Sequence, residues 1–277
     1  MNISGHDIGV CSWSLQLQGM EDLVSKVKSL GLEHIQLGLL ELVMLDDKRK
    51  HLELGHLRHS NLKITATMIS FPGEDYSSIA IIRDTGGFVP DKEWALRKQL
   101  TIQAAKLTQE LGVGFLTTHI GFVPPSSHEK YEVMITRVRE IAAALGEHGL
   151  ALLMETGQEE DTELLQFLND LRCQNVRVNF DPANMILYGA GDPIEAIDIL
   201  GRHIAHVHVK DAVLSEAPGA TWGKEVPFGT GEVPPKEFLR ALKDAGYAGP
   251  LAIEREAGDT RSEDIAFAVE TLKTAAT

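Results

Sequence analysis

Short apolar runs rich in β-branched residues alternate with longer amphipathic stretches along the whole chain, and several of the short runs are apolar on both faces. They read as strands covered on both sides. Eight fall at residues 8–13, 34–37, 64–69, 114–119, 151–155, 176–181, 204–209 and 251–254. Between them the spacing predicts helices over 20–30, 92–111, 130–148, 162–171, 193–200, 235–245 and 262–273, and residues 46–61 supply an eighth. Pro193 and Pro235 suit first helical turns, whereas Gly31, Gly112, Gly149 and Gly246 stand just past helix ends, where a left-handed residue is needed. Eight strand–helix units in 277 residues average roughly 35 residues each, the size of a right-handed parallel crossover. The expected fold is α/β, a single (β/α)8 TIM barrel spanning residues 1–277 as one domain. Two connections, 70–90 and 212–233, are long enough to be read as lids or walls.

Composition narrows the function classes. With 43% hydrophobic and 24% charged residues the chain can bury a sizeable core, which excludes a disordered or coiled-coil protein. Lys and Arg number 26 against 40 Asp and Glu, and the resulting charge of −14 repels a polyanion, so nucleic acid is not an expected partner. Cys11 and Cys173 are too few for a disulfide framework or a thiolate zinc site. No apolar run reaches the length of a membrane span, and the opening MNISGHDIGV lacks the regions of a signal peptide. A cytoplasmic protein without a membrane partner is expected.

The chemistry is concentrated where the strands end. Glu155, Asp181 and Glu254 close the fifth, sixth and eighth strands, His208 lies in the seventh, and His119 ends the fourth. All strand C-termini of a parallel barrel open on one mouth, so these side chains can converge from distant parts of the chain. A carboxylate after a strand is also a common helix N-cap, but ligand-type residues at four consecutive strands argue for a shared site. Three carboxylates and an imidazole need a neutralising charge. Their oxygen and nitrogen donors suit a divalent metal ion: Mn²⁺, Mg²⁺, Co²⁺ or Zn²⁺. His119, Gln158, Asn184 and Lys210 are the expected substrate contacts, and Asp211 is placed to orient a ligand or a hydroxyl. His206 lies deeper on the same face as His208 and reads as a hydrogen-bonded core residue. For a substrate phosphate, Lys210, Arg255 and the Gly229-Thr230-Gly231 turn are the available receptors.

The motifs METGQE at 154–159, NFDPAN at 179–184, HVHVKD at 206–211 and the tail at 227–256, with THIGFVP at 118–124, carry a resemblance. Together they resemble the sugar phosphate isomerase/epimerase group of xylose-isomerase-like barrels, which includes ketose 3-epimerases and, more distantly, endonuclease IV. The resemblance implies a metal held by Glu155, Asp181, His208 and Glu254. Two departures stand out: Asn184 occupies a position where ketose 3-epimerases typically carry a substrate-binding His, and KDAVLSE at 210–216 lacks their Arg. The implied activity is metal-dependent isomerisation or epimerisation of a keto sugar or sugar phosphate. Glu155 and Glu254 would be the catalytic residues, moving a proton through a metal-stabilised enediolate. Dehydration of an inosose-type keto-polyol on the same metal is the second reading. An endonuclease-IV-like phosphodiesterase is disfavoured by Asn184, by the absence of histidine after His208 and by the net charge. The expected partner is a small-molecule sugar, and exposed barrel helices leave a homo-oligomer open.

Overall fold

A computed structural model describes residues 1–277. Eight strands form the closed barrel: β1 His6–Cys11, β2 His34–Gly38, β3 Lys63–Met68, β4 Phe115–Thr118, β5 Ala151–Glu155, β6 Val176–Phe180, β7 Ile204–Val209 and β8 Leu251–Ile253. Every neighbour pair is parallel, and β8 pairs with β1 through Leu251 opposite Ile8, which closes the ring. A helix follows each strand, from Met20–Ser29 after β1 to Arg261–Ala275 after β8. Gly31, Gly112, Gly149 and Gly246 have φ of 69–74°, as their places after helices require.

The differences from the sequence expectation lie at element ends. The first strand stops at Cys11, and Ser12–Leu15 turns as a 3₁₀ helix, which carries Trp13 over the barrel mouth. The expected helix at 46–61 is Asp47–Arg58, capped by Asp46 through Arg49 N–H, and a separate short helix Leu40–Met44 precedes it. Both long connections contain structure: the first holds helix Ile79–Thr85, and the second pairs Asp211–Val213 with Lys224–Val226 as an antiparallel ribbon.

Alternate residues of each barrel strand face two environments. Outward residues such as Val207 and Val209 join a core of 63 residues between strands and helices. Inside the barrel the lining turns polar near the mouth. His206 makes hydrogen bonds with Asn179 Oδ1 (2.7 Å) and Thr65 Oγ1 (3.0 Å), and burial holds it neutral, well below the ordinary histidine range. Gln36 reaches Thr117 Oγ1 and His208 Nε2. These pairs satisfy groups that an apolar interior would leave stranded.

The long connections are anchored as fixed walls. Arg97, buried in helix Trp94–Glu110, donates to the carbonyls of Thr85, Gly87 and Pro72, and Arg137, in Tyr131–Glu147, donates to those of Phe88 and Val89. Gly87, at φ 50°, passes so close to Ile120 that a Cβ would lie 2.0 Å from its carbonyl carbon. Asp211 holds the second connection by accepting from the backbone N–H groups of Gly229, Gly231 and Val233 at 2.8–2.9 Å, and from that of Ala212. No helix is long and apolar enough to cross a membrane. Asp211→Ala strands three loop amides and should cost about 2–4 kcal/mol, a fall in Tm on the order of 5–10 °C by circular dichroism. An unchanged Tm would mean that the loop is held by something else.

Candidate metal centre

Glu155 ends β5, Asp181 follows β6, His208 lies within β7 and Glu254 follows β8, so four successive strands deliver one donor each. The donor atoms lie within 4.8 Å of one another, in a buried cluster. His208 Nδ1 is the centre: Asp181 Oδ2 is at 3.1 Å, Glu254 Oε2 at 3.2 Å and Glu155 Oε1 at 3.3 Å. Its other nitrogen, Nε2, donates to Gln36 Oε1 at 2.6 Å, which leaves Nδ1 with a lone pair to offer whenever the ring is neutral.

Asp181 performs two tasks at once. Its Oδ1 accepts from Asn184 N–H and caps helix Pro182–Tyr188, while Oδ2 faces His208. The capping and ligand readings of a strand-end carboxylate are therefore compatible. Glu155 is held through Oε1 by Asn184 Nδ2 (3.1 Å), but its buried Oε2 has no hydrogen-bond partner, with His119 Nε2 at 3.4 Å. Glu254 is held at both oxygens, by Trp13 Nε1–H at 2.5 Å and by Lys210 Nζ at 2.9 Å.

The electrostatics show what is missing from this balance. Three buried carboxylates face one buried ammonium, an excess of negative charge in a low-dielectric site that a proton on His208 offsets only in part. Burial would raise the Glu254 carboxyl, but Lys210 and His208 hold it well below the usual range, and burial pushes Asp181 up to about 6 against the pull of Lys210. Burial opposes a proton on His208, but the Glu254 and Glu155 carboxylates and the hydrogen bond to Asp181 push it well above the ordinary range, while Cys11, itself pushed up to about 12 by burial, is a neutral thiol. A divalent cation fits this place: it would supply the missing charge beside His208 Nδ1, where Glu155 presents Oε1, and take an N,O donor set suited to hard and borderline ions, leaving the unpartnered Glu155 Oε2 toward His119.

The cluster adjoins a cavity of about 970 Å³ whose lining includes Trp13, His119, Asn184, Lys210, Glu254 and Trp222. Three of the four residues expected to touch substrate, His119, Asn184 and Lys210, line it. Gln158 is not part of that lining; its amide donates to the Tyr188 hydroxyl at 3.3 Å. Asp211, expected to orient a ligand, turns to the loop amides instead. Sequence reading missed Trp13, Gln36 and Glu256. Gln36 was detectable as a lone amide in a buried strand, whereas Trp13 and Glu256 lie past the ends of their strands, where strand alternation does not place a side chain.

Comparison with known proteins follows the same lines. A model of the xylose isomerase-like TIM barrel matches residues 24–275. A xylose isomerase domain protein from Planctomyces limnophilus superposes with a TM-score of 0.89 at 32% identity, covering 98% of this chain and 97% of that one. An L-ribulose 3-epimerase superposes at 0.70 with 19% identity, over 98% and 95% of the two chains, a likeness of fold. The protein YihM of Escherichia coli (strain K12) is 35% identical over 98 residues, 34% of this chain and 29% of that relative, so the match reaches less than a third of its length.

Against the opposing effect of burial, the surrounding carboxylates push the His208 imidazole well above its ordinary range, so a cation taking Nδ1 would displace a proton. Mn²⁺ or Mg²⁺ binding should therefore release about one proton at pH 7 and tighten as pH rises. Titration calorimetry in two buffers of different ionisation enthalpy reads this directly; equal heats would contradict it.

Proposed function

The chain belongs to the xylose isomerase-like TIM barrel family, and from that premise we propose that it is a divalent-metal-dependent isomerase or epimerase of a keto sugar. The observation that carries the proposal is the four-donor cluster beside the cavity, with one carboxylate oxygen of Glu155 unengaged. Glu155, Asp181, His208 and Glu254 would hold the ion. When bound, it would supply Lewis acidity toward a ketone oxygen and so acidify the adjacent C–H.

The remaining work falls to the side chains. Glu155 is the better base: Asn184 fixes Oε1, and Oε2 has no partner in the cation-free site. Glu254 approaches from β8, three strands around the barrel from β5, and can serve a second face of the same carbon. Glu155 takes the proton from one face and Glu254, protonated from solvent beforehand, delivers another to the opposite face, which inverts that carbon; return of the proton by Glu155 to the neighbouring carbon interconverts ketose and aldose. His119, beside Glu155, is positioned to donate to a substrate oxygen, and Lys210 and Trp13 hold Glu254 in place. The related ketose epimerase fold supports this reading through its architecture.

The test is exchange of ketose α-protons with D₂O, followed by NMR with Mn²⁺, Mg²⁺, Co²⁺ or Zn²⁺ added. Glu155→Gln and Glu254→Gln should keep the fold and lower exchange by at least ~100-fold. Undiminished exchange in both variants would refute the assignment, and a dehydrated product in its place would move the reading to an inosose-type dehydratase.

A further inference from the structure

The Lys and Arg side chains and the glycine turn that the sequence offers as phosphate receptors are each occupied by a carboxylate of the chain itself. Lys210, the only Lys or Arg in the lining, directs its three N–H donors to Glu254 Oε2 (2.9 Å), Glu256 Oε2 (2.9 Å) and Asn184 Oδ1 (3.4 Å). Arg255 is turned away and closed by Glu225 at 2.7 Å and Asp264 at 2.8 Å. The Gly229-Thr230-Gly231 turn aims the amides of both glycines at Asp211 Oδ2, so its N–H groups are filled from within. Apart from Glu254, assigned to the cation, the lining carries the carboxylates of Glu41, Glu74, Glu225 and Glu256. A phosphate, carrying between one and two negative charges, would meet like charge and find no unengaged donor of this kind.

The same cavity offers apolar faces. Trp13 lies beside Glu254, and Tyr76, Tyr188 and Trp222 form a second aromatic group, with Tyr188 and Trp222 ring centres 4.7 Å apart. Trp222 Nε1 donates to the Tyr76 carbonyl at 3.1 Å, tying the two long connections together across this group. Aromatic walls with a few fixed polar groups suit a ligand that has C–H faces and hydroxyls.

Resting on the proposed function for the identity of the reaction, we infer that the cavity selects an uncharged, unphosphorylated sugar or polyol and rejects its phosphate ester. The specificity determinants are the lining carboxylates that occupy cationic receptors, Glu256 on Lys210 and Glu225 on Arg255. The indole rings of Trp13 and Trp222 report binding without turnover, whereas Trp94 packs away from the cavity against Phe88 and Arg137.

Intrinsic fluorescence of the full chain with MgCl₂ should change saturably with xylitol or D-sorbitol. D-Sorbitol 6-phosphate should bind at least ~100-fold more weakly than D-sorbitol, by like-charge exclusion. Glu256→Gln, which removes one charge from Lys210, should narrow that ratio by about tenfold. Equal or tighter binding of the phosphate ester overturns the inference, as does failure of both polyols to bind or an unchanged ratio in the variant. Since this is a binding measurement, the inference can stand when α-proton exchange fails, and exchange confined to ketose phosphates would defeat the inference while leaving the proposed chemistry intact.

Discussion

Three carboxylates buried against one imidazole nitrogen form the constraint on which the barrel mouth depends. Each has given up its hydration, and their mutual repulsion is strong because the surroundings are poorly polarisable. Lys210 compensates one charge, and a proton on His208 compensates another in the absence of a cation. A cation held there, as proposed, would compete with that proton for the same nitrogen. Gln36 keeps that competition local, because its hydrogen bond to Nε2 fixes the ring whichever species occupies Nδ1.

The two glutamates differ more than their symmetric chain positions suggest. Glu254 is engaged at both oxygens by neighbours that favour its charged form, while Glu155 keeps one oxygen without a partner. Asn184 joins the two halves: it donates to Glu155, accepts from Lys210, and has its own backbone N–H held by Asp181. A histidine at that position would give a different set of donors and acceptors. The departure from the ketose epimerase pattern therefore lies inside the charge network and bears on the substrate side of the cavity.

Rigid walls surround this network. Buried Arg97 and Arg137 satisfy loop carbonyls that would otherwise need water, and Asp211 does the same for loop amides. Both long connections are thus tied to the helix layer and to strand ends, and they meet at Trp222 and Tyr76. Fixed walls preserve the cavity's shape and keep its cationic groups engaged internally.

The sequence alone determined the alternation of eight strands and eight helices, the closed barrel it implies, and the strand ends from which Glu155, Asp181, His208 and Glu254 project. These follow from periodicity, helix-stop glycines and unit length, which are local properties. Local pattern did not reveal that Trp13 bonds Glu254, that Gln36 sets the His208 ring, or that Gln158 stands behind Tyr188. Those pairings join residues up to 241 positions apart, as Trp13 and Glu254 are, and depend on where side chains meet across the barrel axis. The fate of Lys210, Arg255 and the glycine turn was decided in the same way. A charge or an amide can be counted along a chain, but whether it is available to a ligand depends on which internal partner reaches it first in space.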